Sequence, residues 1–359
     1  MPKSTFKWLI CVVLSAAVLT GCGFLNQEKE TEQIDPPKKV TYTDEQAKEN
    51  EKKEGEKKET AKKEKAEQTI GRELYLVDKN GYVVPQTVKL PVPKGNAVIQ
   101  QSLEYLVKNG PVTELLPNGF RAVLPADTAM TVDVKKDGTA IVDFSKEFKN
   151  YSKADERKIV EAVTWTLTQF KEVKQVKFSM NGKNLVKMPV NGTPIGKGVS
   201  RENGINFDNE QVTDITNTKA VTLYFIAQEG KEKYYVPITR RVAEGSENEV
   251  VTIVNELLKG PSNQSSLAYD FDTEVKLLNK PQIEDGKVTL NFNENIYTSK
   301  KENKISDLAL ESLVLTLTEH EGIKNVALEV NGKANVVNEK GEKLVKPVNR
   351  PQNVNTGSF

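Results

Sequence analysis

The sequence predicts an α+β protein built from two tandem copies of one small module, with helices packed on one face of a mostly antiparallel sheet, preceded by a disordered tether. Three observations predict this. Beyond about Gly71 apolar residues alternate between turn signals, as half-buried strands require. Two long stretches carry apolar residues at helical spacing instead. The chain also matches itself from residue 74 to residue 333 at an offset that stays between 148 and 152, which marks a duplicated unit.

The elements follow in chain order, starting with an export signal. Lys3 and Lys7 form a short positive region, and Trp8 to Leu19 is an apolar run of signal-peptide length, too short to span a bilayer comfortably. The run ends in Leu19-Thr20-Gly21-Cys22, which resembles the bacterial lipobox: an aliphatic residue, two small residues, then a thiol that takes a diacylglyceryl group. Residues 1–21 are therefore expected to be a lipoprotein signal peptide and Cys22 the lipid-attachment residue. The expected location is the cell membrane, lipid-anchored on its extracytoplasmic face, since two acyl chains give the stable anchoring that one does not. Cys11 leaves with the signal, so the mature chain keeps no thiol for a disulfide or a nucleophile.

Residues 22–69 read as the tether. From Glu28 to Glu67 there are 11 Lys, 11 Glu and two Asp with no periodic apolar positions, so this stretch has nothing to bury. Residues 70–193 form the first module, 194–218 a linker rich in Gly, Asn and Asp, 219–348 the second module and 349–359 a tail. The pairing of the modules rests on ordered matches. Leu74-Tyr75-Leu76 answers Leu223-Tyr224-Phe225, and Val84-Pro85 answers Val236-Pro237. Lys108-Asn109-Gly110-Pro111 answers Lys259-Gly260-Pro261, Thr166-Leu167-Thr168 answers Thr316-Leu317-Thr318, and Asn181-Gly182-Lys183 answers Asn331-Gly332-Lys333.

Within the first module, Glu73 to Asp78 and Tyr82 to Leu90 read as a hairpin around Asn80-Gly81, a favoured two-residue turn. Ala97 to Lys108 reads as a helix stopped by Gly110-Pro111. Met130 to Val134 and Ala140 to Phe144 flank Asp137-Gly138 as a second hairpin. Lys153 to Lys171 reads as the long helix, and Val173 to Met180 as a final strand.

The composition argues against catalysis. The chain has 51 Lys and Arg against 50 Asp and Glu and one histidine, so no charge field recruits nucleic acid and no His-rich metal site exists. His320 falls at the position of Phe170 on the long helix, which makes it a helix-end residue at the core margin. Glu161 and Glu311 correspond and fall on the wet side of the helical wheel, where nothing raises a carboxyl pKa for acid catalysis. Loop acids such as Asp127 and Glu114 could form a glycosidase pair, yet no spacing singles one out. Gly192, Gly196, Gly198 and Gly204 open no helix after a strand, so no phosphate loop forms. No catalytic, cofactor-binding or metal residue is expected. One oddity remains: Trp165 and its counterpart Leu315 lie opposite the apolar centre of the helix, with Leu308 nearby. A covered outer face follows, by the sister module or linker on one reading and by another protein on the other; Trp165, Leu315 and Leu308 are the candidate protein interface.

The lipobox, the Lys/Glu tether and two units carrying Leu-Tyr-Leu/Phe, Lys-Asn-Gly-Pro/Lys-Gly-Pro, Thr-Leu-Thr and Asn-Gly-Lys together resemble the GerMN-domain lipoproteins of spore-forming bacilli, over essentially the full chain. The resemblance implies a ring-building-motif-like fold in each module and a role in sporulation, spore cortex and germination. It also implies envelope proteins of the sporulation channel complex between mother cell and forespore as partners, with no catalytic residue to transfer. The expectation is a non-enzymatic assembly lipoprotein, membrane-bound through its diacylglyceryl anchor, with homo-oligomerisation open, no cofactor and no nucleic acid. The alternatives are a cell-wall or cortex hydrolase, a glycan-binding accessory protein, and a lipoprotein with a small-ligand pocket between its modules.

Overall fold

The computed structural model describes residues 68–93, 97–208, 217–245 and 248–356. The expected signal peptide, Cys22 and the charged stretch up to residue 67 lie outside the described residues.

The first repeat opens on an antiparallel hairpin of β1 (Thr69–Val77) and β2 (Val83–Pro91). The Asp78 carboxylate fixes its turn by accepting the Tyr82 N–H at 2.8 Å. A short helix, α1 (Val98–Glu104), follows and stops before Lys108 because Val107 leaves the helix to bridge Leu124. β3 (Met130–Val134) and β4 (Thr139–Phe144) pair antiparallel around Asp137-Gly138. The chain then crosses through α2 (Glu156–Leu167) to β5 (Gln175–Met180), which runs parallel to β4, and returns in β6 (Lys183–Asn184). The sheet order is β3-β4-β5-β6, with a parallel pair at its centre and antiparallel pairs outside it. A parallel pair cannot be closed by a tight turn, so the crossover places α2 on one face of the sheet.

The second repeat reproduces this order. A longer hairpin of β7 (Thr218–Glu229) and β8 (Glu232–Ala243) precedes α3 (Glu249–Leu258). β9 (Gln282–Glu284), β10 (Lys287–Phe292), α4 (Asp307–Thr318), β11 (Asn325–Val330) and β12 (Val348–Asn349) then build a sheet of order β12-β11-β10-β9 with β10 and β11 parallel. The α4 start is capped by Ser306, whose hydroxyl accepts the Leu308 and Ala309 N–H groups.

Each repeat has three layers: sheet, long helix and hairpin. The hairpin lies across the side of the helix that faces away from the sheet and is bonded to it. The Tyr75 N–H donates to Thr166 Oγ at 3.0 Å, and the Tyr224 N–H donates to Thr316 Oγ at 2.9 Å. The repeated Thr-Leu-Thr motif thus serves two layers, because its leucine faces the core while its first threonine satisfies a strand.

This third layer and the segment between the repeats account for the covered outer face and correct its reading as a protein interface. Trp165 and Leu315 are fully buried rather than available to a partner, and Leu308 is half-buried against the cluster around Leu315. Trp165 packs on the Tyr75 ring at 5.6 Å and donates its indole N–H to the Gly204 carbonyl, which lies in the segment between the repeats. Gly204 is held at φ +75°, and a Cβ there would meet the Phe207 ring at 2.5 Å. Leu315 is covered by Tyr224, Ile226, Tyr235 and Val354. Glu161 is corrected with them, since it is buried and accepts from Arg157 Nε and the Asn206 N–H. Burial pushes its carboxyl upward.

Candidate functional site

The two repeats meet through their hairpins, and the segment that follows each sheet crosses to the hairpin of the other repeat. Residues 199–206 and 348–355 do this in the same register. Val199 pairs with Val176 and Val348 with Val326 at the sheet edges, after which Ile205 accepts the Thr239 N–H and Val354 accepts the Thr87 N–H. Asn206 and Asn355 close the crossing. Asn206 exchanges bonds with the Val83 backbone and donates to the Pro237 carbonyl at 2.8 Å. Asn355 exchanges bonds with the Tyr235 backbone and donates to the Pro85 carbonyl at 2.8 Å. The two asparagines bridge β2 and β8 as a two-fold pair, and both sit at positive φ, 47° and 53°, where asparagine is tolerated better than most residues. Asn206→Ala and Asn355→Ala are each expected to cost about 2 kcal/mol in urea unfolding, from three lost backbone hydrogen bonds and left-handed strain. Losses below about 0.5 kcal/mol would remove the clasp from the account of stability.

Beside this clasp lies an ion cluster. Arg201 follows the first sheet and Arg350 the second, and both guanidinium groups converge on Glu319 at the end of α4. Arg201 Nη1 donates to Glu319 Oε1, and Arg350 Nη2 lies 3.1 Å from Glu319 Oε2. The Tyr224 hydroxyl donates to the same Oε2 at 2.9 Å. Arg201 also donates to Thr168 Oγ and stacks over the Trp165 ring at 4.4 Å, while Arg350 donates to the Leu315 carbonyl. The Glu319 side chain is 6% exposed, and burial alone would raise its pKa; Arg201 and Arg350 outweigh burial and hold its carboxyl at about 2. The symmetry breaks at this point. Gln169 takes the position of Glu319 in the first repeat and clamps the Glu73 backbone, accepting its N–H and donating to its carbonyl.

The other buried carboxylates are also bonded internally. Glu156, buried at the start of α2, accepts the N–H groups of Val190, Asn191 and Thr193 and the Tyr151 hydroxyl. Burial opposes its ionisation, but these donors prevail and hold the carboxyl at about 2. Asp78 accepts the Tyr234 hydroxyl at 2.9 Å across the repeat boundary, and burial raises its pKa. His320 is half-buried at the end of α4, with burial depressing its pKa. Asp127 is exposed in a turn, and Glu114 is exposed on the short 3-10 helix Pro111–Leu115. Among the described residues no cluster of His, Cys, Asp and Glu could hold a metal ion, and no helix is long and apolar enough to cross a membrane.

Three clefts border the junction. One of about 520 Å³ is lined by Arg72, Glu73, Gln169, Arg201, Glu319 and Arg350. The others, of about 280 and 200 Å³, lie beside Asn355 and Asn206 and contain Tyr234 and Tyr82 respectively.

The duplication is also what the comparison with known proteins finds. The model of the Germane family, described as sporulation and spore germination, matches residues 73–186 and 222–336. The chain belongs to this family. It is 53% identical over 353 residues to the spore germination protein GerM of Bacillus subtilis (strain 168), covering 96% of each chain. Its fold is similar to the solved tandem GerMN domains of the sporulation protein GerM from Bacillus subtilis, with a TM-score of 0.76 and 56% identity over 80% of this chain and all of that one. The three-layer repeat is therefore a GerMN domain, and the clasp and ion cluster lie where two GerMN domains meet.

Reading the sequence missed the residues of this junction. The motif matches between the repeats end at Lys183 and Lys333, yet beyond them Val199, Arg201 and Asn206 recur in step as Val348, Arg350 and Asn355. The signal was present, in segments read as linker and tail.

Proposed function

We propose that this chain is a non-enzymatic assembly lipoprotein of sporulation and spore germination that acts through protein–protein contacts. In this reading Cys22 carries the diacylglyceryl anchor on the extracytoplasmic face of the cell membrane, in the space between mother cell and forespore. The partners are envelope proteins of the sporulation channel complex, with further copies of the chain where the assembly closes on itself. The observation that supports it is the distribution of bonded and open surface. The buried carboxylates of the junction and helix starts are consumed by internal donors, while each GerMN sheet keeps one face uncovered by helices.

Strand alternation identifies that face. Ala140, Val142 and Phe144 point to the core, so Ile141 and Asp143 point away, with Lys177 beside Ile141 in the parallel register. In the second repeat Thr289 and Asn291 occupy the corresponding outer face beside Ala327 and Glu329. These faces mix small and apolar groups, Ile141 and Ala327, with the charged Asp143, Lys177 and Glu329, a composition that suits a polar contact with another protein surface.

Crosslinking of the full-length protein in sporulating cells tests this reading, with Ile141→Arg as the variant. Wild type is expected to capture envelope-channel components, and Ile141→Arg to lose them with unchanged tryptophan fluorescence. Capture of peptidoglycan and cortex enzymes alone, or release of muropeptides by the purified protein, would replace the assembly reading with a cell-wall function.

A further inference from the structure

The cleft of about 520 Å³ at the repeat junction has a charge imbalance that the fold itself does not use. Three guanidinium groups line it from three separate segments: Arg72 from β1, Arg201 from the first crossing segment and Arg350 from the second. Two carboxylates line it with them, and both are engaged. Glu319 is shared between Arg201 and Arg350, and Glu73 Oε1 accepts the Tyr75 hydroxyl at 2.9 Å. Arg72 is the group left over. Its Nε is buried without a hydrogen-bond partner, and no ion pair joins it to a carboxylate among the described residues. Its nearest electronic partner is the Phe170 ring, 6.0 Å from the guanidinium carbon. Burial lowers the Arg72 pKa with no carboxylate offsetting it.

A half-buried guanidinium without a counter-charge is costly to keep, and a planar fork of N–H donors matches carboxylate and phosphate oxygens. The volume is in the range of small-molecule sites and exceeds what a bare inorganic ion fills. We propose that the cleft between the two repeats binds a small organic oxyanion, carboxylate or phosphate, through the Arg72 guanidinium, against the fixed edge formed by Arg201 and Arg350. Because Arg72 belongs to the first repeat and Arg350 to the segment that ends the second, the ligand joins both halves of the molecule. The site is independent of the assembly surface, which lies on the outer sheet faces.

Titration calorimetry on the full chain tests it, using malonate and inorganic phosphate separately at low ionic strength and chloride at matched ionic strength as the blank. A saturable signal with a Kd of about 1 mM or tighter is expected for at least one anion. Malonate alone assigns the site to carboxylates, phosphate alone to phosphate esters, and both to the shared oxyanion chemistry. Arg72→Gln is expected to weaken binding about tenfold, the loss of one charge-assisted contact. That variant should remain folded because Arg72 makes no hydrogen bond that the structure depends on. Lys89→Gln, which removes an exposed cation on β2 opposite Gly71, should leave binding unchanged. Absence of saturable binding by both anions, or equal weakening in Arg72→Gln and Lys89→Gln, overturns the proposal.

Discussion

Glu319→Gln is expected to lower the unfolding free energy by about 3 kcal/mol, one of the two largest effects of any single substitution at the repeat junction. The change keeps the volume and removes the one carboxylate that Arg201 and Arg350 share, leaving two guanidinium groups, each about three-quarters buried, facing one another. The cost comes from those uncompensated cations more than from the lost attraction. The same residue gives the fold an acid dependence of definite sign. The Glu319 carboxyl is held at about 2 in the fold against about 4.3 in an unfolded chain. A carboxyl depressed by folding contributes its stabilisation above the unfolded value and loses it as the pH falls toward the folded one. Urea midpoints measured between pH 5 and pH 2 should therefore fall less steeply for Glu319→Gln than for wild type. Glu156, also held at about 2, keeps part of the slope in both proteins. Parallel pH profiles of the two proteins would mean that Glu319 is not the titrating group.

Trp165→Ala is expected to cost about 4 kcal/mol, the usual range for emptying a fully buried aromatic site. The indole fills the space between α2, Tyr75 and the first crossing segment, donates to the Gly204 carbonyl and underlies the Arg201 guanidinium. Trp165→Phe separates these contributions, since it keeps most of the apolar volume and loses the hydrogen bond; a loss of about 1 to 2 kcal/mol is expected. The sequence contains two tryptophans, and Trp8 falls in the expected signal peptide. In the mature chain Trp165 is thus a natural fluorescence reporter of the junction. A blue-shifted emission that moves to the red before the far-ultraviolet circular dichroism changes would show that the crossing segment opens first. An exposed emission maximum in the native protein would contradict the burial.

The duplicated architecture was legible in the sequence because tight turns and alternating strands are local features. Asn80-Gly81 and Asp137-Gly138 sit in the turns predicted for them, and β3 occupies the residues read from alternation. The third layer was not legible. A helical wheel shows that the face carrying Trp165 and Leu315 is covered but not by what, and it puts Glu161 on the wet side because only one apolar stripe is visible. What covers them is a hairpin more than 80 residues upstream and segments that carry no periodicity at all. Arg201, Asn206, Arg350 and Asn355 look like ordinary loop residues, since asparagine at positive φ is common turn chemistry and lone arginines in segments read as linker and tail carry no pattern. Their meaning lies in the recurrence of the set, which only a comparison extending past the last strand of each repeat would show.

The reciprocal crossing also imposes an order in time. β2 receives its bonds from Val354 and Asn355, which are synthesised about 270 residues after it. The second hairpin waits far less, because Ile205 and Asn206 precede β8. Asn355 closes both hairpins at once, so the hairpin made first is the one that waits longest, with its Pro85 carbonyl and Thr87 N–H unclaimed while almost the whole chain is being made. Contacts this distant in sequence form slowly. During that interval β2 is an open edge able to accept a strand or a crossing segment from a neighbouring molecule, so crowded nascent chains have a route to intertwined dimers that mature, closed molecules lack.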